Sequence, residues 1–333
     1  MAAARIVSEH RLLPLTERIL ARLPGERVFW LAAWALVPAL NAGANLLLGT
    51  DRSSAVWEQS RTLVVLNYVA LGFAVLIALW GSRRIARRLE TLLLETSRAL
   101  AAPVGHPFRG VNGTAGPLAA SAVVAVVFGV TALARDGLAP ALLRGSTWFV
   151  VGIPLWTFLW TYGSVQLGLH RLGGVRLAAD AGRGDPGLGV QPLGGVAFTG
   201  LWTLLVWLVP VLLTGLNDLV GVVLGALVLT AGLATFFLSL VRLHHQMVAV
   251  KRAELAIARE LYAKAYEPLR AEPTLEALER QHRLLGAADA LERRASAIHE
   301  WPIDEATFAR VITVTTSVIA MIVGRLILDP FGL

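Results

Sequence analysis

The sequence predicts an all-α, polytopic membrane protein with six to seven transmembrane helices and a cytoplasmic antiparallel helical hairpin. Three observations carry this expectation. Hydrophobic residues make up 56% of the 333-residue chain and charged residues only 16%, where a soluble domain carries about a quarter charged. Apolar runs recur along the chain at the roughly 20-residue length that a helix needs to cross the hydrocarbon layer. Arginine is concentrated in alternate connections between those runs, the pattern expected when cationic loops stay on the cytoplasmic side.

Residues 1–27 form a charged lead. Within it "HRLLPLTERILARL" has the spacing of an amphipathic helix lying on the membrane surface. The apolar run from Val28 to Gly49 is too long for a signal-peptide core and reads as a retained first span. Residues 28–241 then form a membrane domain with six spans, at 28–49, 62–81, 117–135, 147–168, 198–214 and 218–241. The second span is followed by "GSRRIARRLETLLLETSRAL", which keeps helical spacing and extends that helix beyond the bilayer. The fifth is short and holds Trp202, Trp207 and Pro210.

Residues 242–307 are polar and helix-forming. Leu255, Ala258, Tyr262 and Ala265 recur at helical spacing, and Leu278, Leu285, Ala288, Leu291 and Ala295 do so after the turn marked by Pro268 and Pro273. Basic and acidic residues nearly cancel here, the composition of a packing or assembly module and not of a nucleic-acid grip. Residues 308–333 supply a seventh span and the C-terminus. The uncharged stretch Val311–Gly324 is shorter than the hydrocarbon layer, so Arg310 and Arg325 must reach opposite headgroup layers for it to cross.

The formal charge of +7 follows from the loops. Arg5, Arg11, Arg18, Arg22 and Arg27 lie in the lead; Arg83, Arg84, Arg87, Arg88, Arg98 and Arg109 lie in 82–116; Arg171, Arg176 and Arg183 lie in 169–197. The other connections are poorer. This places the N-terminus in the cytoplasm of a multi-pass cell-membrane protein, and a seventh span puts the C-terminus outside.

The chemistry is defined as much by what is missing. The chain has no cysteine, which excludes thiolate catalysis and cysteine-ligated metals. It contains no GxxxxGK[ST], HExxH or GxGxxG motif. His244, His245 and His282 could meet across the hairpin, but adjacent histidines on a helix diverge by about 100° and rarely share an ion. No cofactor, no metal site and no enzymatic activity is expected. The first six spans carry no charged residue near their centres, which weighs against a proton- or ion-coupled transporter.

Uncharged polar residues remain as candidates. Asn41 and Asn45 lie one turn apart after Pro38; Thr157, Thr161 and Ser164 form a stripe in the fourth span, beside Tyr162 and Gln166; Arg310, Thr313, Ser317, Ala320 and Gly324 follow at three- or four-residue steps in the seventh. Such stripes serve as packing seams, since small and hydroxyl residues let helices approach, or as the lining of a pore. The leading expectation is a homo-oligomeric, anion-preferring ion channel with the hairpin as vestibule or gate, its subunits joined through Leu255, Tyr262, Leu285 and Leu291. Lipid, small ions and further copies of the chain are its partners, and nucleic acid is not. The alternatives are a secondary transporter using helices broken at Pro38, Pro154 and Pro210, and a non-conducting scaffold or sensor that recruits a partner through the hairpin.

Overall fold

The structure is a computed structural model that describes residues 12–48, 61–96, 107–174, 187–215, 219–271, 275–303 and 305–328. Its regular elements are all helical: α1 (Leu15–Arg22), α2 (Arg27–Leu48), α3 (Arg61–Thr96), α4 (Ala115–Asp136), α5 (Leu138–Leu172), α6 (Gln191–Gly215), α7 (Leu219–Ala271), α8 (Leu275–Ser296) and α9 (Glu305–Leu328), with a short 3-10 turn at Arg109–Asn112. Among the described residues five helices are long and apolar enough to cross a membrane: Val65–Leu92, Ala115–Asp136, Leu138–Leu172, Gln191–Leu212 and Gly225–Glu267. The protein is therefore membrane-embedded. The first expected span forms α2, whose apolar part Arg27–Asn41 is a shorter helix; the seventh forms α9, which is not among the five.

Two helices outrun the bilayer, as their sequences demand. At about 1.5 Å per residue, the 53 residues of α7 extend about 80 Å, against roughly 30 Å of hydrocarbon. The apolar run and the polar run share one unbroken helix because neither glycine nor proline interrupts Ala234–Tyr266. The 36 residues of α3 likewise continue past Gly81 into its arginine-rich end. α8 folds back on the polar half of α7, with Ala258, Ala265, Ala288 and Ala295 buried. Tyr262 donates a hydrogen bond to Asp289 at 2.8 Å, and Lys251 meets Glu300 at 3.2 Å.

The fourth span begins earlier than its apolar run suggests. α4 stops at Asp136, Gly137 turns the chain at φ +90°, and α5 starts at once. Pro140 stands in the first turn of α5, where its missing N–H costs nothing. Asp136 and Arg144 close this end of the hairpin with an ion pair of 3.1 Å.

α6 is the enclosed centre. Two-thirds (67%) of its apolar window is buried, against 17% for α4, which is held chiefly by α5 and otherwise faces outward. The core joins α3, α5, α6 and α7 through Ile85, Leu89, Phe158, Leu169, Leu201, Leu204, Leu208, Phe236 and Leu240. In lipid, dispersion and close backbone approach hold helices together more than water exclusion does. Small residues fit that role: a side chain at Gly81 would strike Thr203 and Phe158, and one at Gly232 would strike Leu204. α9 packs on α6, and the segment leading to it is seated where Gly194 abuts the Pro302 carbonyl.

Residues from the four arginine-bearing connections gather at one end of the bundle. The Leu12 amide donates to Glu90 (2.8 Å), the Leu13 amide to Asn112 (2.9 Å), Gln246 to the Gly173 carbonyl (2.6 Å), and a His170 ring nitrogen pairs with the Leu238 carbonyl (2.8 Å). In the described part of the lead, Leu12, Leu15, Thr16 and Leu20 are buried against the protein, and α1 packs on α5.

Candidate functional site

A set of buried polar side chains links α5, α6 and α7 in one seam. Tyr162 donates to the Gly232 carbonyl at 2.7 Å, one turn before Gln166 on the same face of α5. The Gln166 amide nitrogen donates to the Ala197 carbonyl on α6 at 3.3 Å, and its oxygen lies 2.7 Å from Ser239 Oγ on α7. Ser239 has one hydroxyl proton and a second acceptor, the Phe236 carbonyl, also at 2.7 Å. Thr235 stands 3.4 Å from the Tyr162 hydroxyl and donates within its own helix. The three helices are thus tied by side chains that each find a partner inside the apolar layer, where an unpaired polar group is costly.

Of the fourth-span candidates, Thr157 and Thr161 are enclosed, at 1% and 0% exposure, and neither hydroxyl has a hydrogen-bond partner among the described residues. Ser164 is half-buried at the close approach of Gly110. Asn41 is buried in α2; Asn45 lies in the same helix, with its side chain outside the described residues. Apart from the Tyr162 hydroxyl, every buried hydroxyl, carboxamide or charged side chain among the described residues is Ser, Thr, Asn or Gln. The seam can fix helix register and offer dipoles, and its Tyr162 hydroxyl proton is held by the Gly232 carbonyl.

The α9 candidates point the other way. Val311 is buried towards the body, whereas Arg310, Thr313, Ser317 and Ala320 are exposed and Gly324 has open space beside it. Thr313 donates to the Ala309 carbonyl (3.0 Å) and Ser317 to the Thr313 carbonyl (2.9 Å), so both hydroxyl protons are held by their own helix. Arg325 lies in α9 with its side chain outside the described residues. The two sets of candidates are therefore not brought together within one chain.

The assembly candidates Leu255, Tyr262, Leu285 and Leu291 are half-buried along the α7–α8 pair. Ile257, Tyr266, Leu275 and Leu284 are large apolar residues left exposed along the same stretch. Among the described residues no group of three or more His, Cys, Asp or Glu is placed to hold a metal. His244 instead pairs with the Glu300 carbonyl at 2.8 Å and stacks on Trp301. Asp289 is held below the ordinary carboxylate range by the Tyr262 hydroxyl, then by Arg293. Ser239 was not singled out in the sequence; its place one turn after Thr235 was the available signal. The prolines break nothing: α2, α5 and α6 run on through Pro38, Pro154 and Pro210.

Fold and seam define an all-helical, membrane-embedded protein whose buried polar chemistry is uncharged. No protein-family profile, curated protein or solved structure matches this chain.

Proposed function

We propose that the chain is the subunit of a homo-oligomeric, non-enzymatic ion channel of the cell membrane, with α9 lining the path. The single observation that supports it is the direction of the α9 stripe: Thr313, Ser317 and Ala320 turn away from the chain's own helices while Val311 turns inward. A small and hydroxyl-bearing face has little to gain from lipid tails and much from a facing copy. In this reading the arginine-bearing end is cytoplasmic, with the N-terminus there and α2 and α9 completing seven spans. A ring of Arg310 at the inner mouth favours anions. The α7–α8 pair, a hairpin beneath that mouth, forms a vestibule or gate. Small ions and the bilayer are its partners, with no role for nucleic acid. The continuity of α2, α5 and α6 removes the half-helix ends on which a transporter reading leaned.

The test is ion flux into liposomes holding the purified full chain. Arg310→Glu is expected to reverse the anion–cation preference, and Ser317→Leu to reduce conductance in a protein that still elutes as the wild-type assembly. Robust conductance with unchanged selectivity in Arg310→Glu removes Arg310 as the filter. No conductance under voltage, tension or pH change overturns the channel reading.

One observation favours a second reading, a non-conducting assembly whose hairpin recruits a partner. The hydroxyl protons of Thr313 and Ser317 are already held by their own helix, which suits a close-packed seam between subunits. Mass measurement separates the readings from a monomer, which neither survives.

A further inference from the structure

A proline inside a helix has no amide hydrogen, so the carbonyl one turn earlier loses the partner that its own helix would supply. α5 carries Pro154 in its interior, and the carbonyl left open is that of Val150. Val150 stands about 18 Å along α5 from its first residue, Leu138. At that depth a span has no water to turn to, and a freed backbone group has to be met by a neighbouring helix or side chain. Here another helix supplies the donor. The Trp34 indole, on α2, donates its Nε1–H to the Val150 carbonyl oxygen at 2.8 Å. The indole ring is held in place by packing on buried Val75, Leu79 and Val151. α3 approaches α2 just beyond, at Gly72, where an added Cβ would stand 2.9 Å from the Ala35 carbonyl oxygen. Other ties on α2 are few. It packs chiefly on α3 and α5, and Val28, Phe29, Leu36 and Leu40 are exposed.

We infer that Trp34 is the latch of α2: its indole N–H takes the place of the amide hydrogen that Pro154 lacks, and fastens α2 to α5 at the point where α5 cannot complete its own hydrogen bonding. The device works in both directions. α2 gains a fixed register on α5. α5 gains closure of the turn that its proline weakens, which keeps the segments before and after Pro154 in one helix. The acceptor is also selective, because an open carbonyl in hydrocarbon has more to gain from a donor than one already paired along its helix. An apolar side chain at position 34 fills the same cluster and leaves the carbonyl open. The latch holds whether or not the assembly conducts.

The test is a double-mutant cycle on the full chain, unfolded by SDS in mixed micelles. A benzothiophene analogue of tryptophan placed at position 34 keeps the bicyclic ring and replaces only the N–H, by sulfur. It is expected to shift the folding equilibrium about fivefold towards the unfolded form, the size of one good interhelical hydrogen bond. Pro154→Ala returns the amide hydrogen to α5, and in that background the same replacement should shift the equilibrium less than about twofold. Position 30 is the control, since the Trp30 indole donates to the Pro24 carbonyl at 2.7 Å, away from Pro154; the analogue there should have the same effect in both backgrounds. Trp34→Phe should follow the pattern of position 34, with a packing loss added equally to both arms. If Pro154→Ala does not fold, Pro154→Gly, which also restores the hydrogen, completes the cycle. An equal effect at position 34 with and without the proline, or no effect at position 34 beside Pro154, overturns the inference.

Discussion

The polar seam of α5–α7 and the polar stripe of α9 use the same residue types to opposite ends. In the seam, Tyr162, Gln166 and Ser239 reach across to other helices; in the stripe, Thr313 and Ser317 bond the helix they stand on. The first set is buried and the second exposed. The difference teaches that a serine or threonine in a span does not declare its task by identity or spacing. What decides is whether a neighbour lies within reach, and that depends on which helices the fold sets side by side.

The strongest way to break the comparison is to unseat α9. A Cβ at Gly194 would overlap the Pro302 carbonyl oxygen, and backbone cannot rotate aside as a side chain can. Gly194→Ala is expected to cost about 3 kcal/mol, the upper range for overpacking, read as a fall in the thermal midpoint together with faster proteolysis before α9. An unchanged midpoint would mean that the segment around Pro302 is not seated on α6.

Next in size, Gln166→Leu strips the seam of its central residue. Ser239 keeps the Phe236 carbonyl, so the loss is the two interhelical bonds, about 1–2 kcal/mol at the high end for such bonds in membranes. A variant as stable as wild type would assign the seam's cohesion to the surrounding Leu and Phe packing.

A paired measurement then sharpens the contrast. Ser239→Ala should destabilise by about 0.5–1 kcal/mol, whereas Ser317→Ala should stay within about 0.5 kcal/mol of wild type, because its hydroxyl bonds only its own helix. Equal losses in the two variants would erase the distinction between seam and stripe.

The smallest effect lies outside both regions and serves as their water-exposed reference. The Asp289 carboxylate is favoured by hydrogen bonds from Tyr262 and Arg293, which lower its pKa from the ordinary 3.8. The contribution is full above that ordinary value and is lost as pH falls through the depressed one, so acid loosens the α7–α8 pair. Asp289→Asn should remove this acid-side loss and cost the same small amount at neutral pH, small because the pair is exposed and solvent-screened. Hydrogen exchange of α8 amides at pH of about 5 and about 3 checks it; an identical acid response in the variant would point to other carboxylates.

Much of the architecture was legible before the structure. Neither glycine nor proline separates the apolar run 218–241 from the polar helix-forming run that follows it, and α7 carries both in one helix. The continuation of the second span past Gly81 was equally plain, and α3 extends to Thr96. Both follow from local rules: apolar length, helical spacing and the absence of breakers. The early start of α5 was missed because the uninterrupted apolar run begins only near Thr147, although Asp136-Gly137 with Pro140 just beyond is itself a turn signal and Gly137 makes the whole turn. The fate of the lead was hidden too, since an amphipathic helix fits lipid and a protein groove alike.

The sequence by itself determined the class of the molecule, its helical elements, the uncharged character of its spans and the gathering of arginine in alternate connections. These depend on composition and on spacing along one chain. Only the tertiary structure decided that Thr157 and Thr161 are enclosed while Thr313 and Ser317 look outward, and that Ser239 meets Gln166. The reason is physical. A helix fixes which residues share its face, but which face meets a neighbour depends on the close approach of glycines such as Gly81 and Gly232 to side chains distant in sequence.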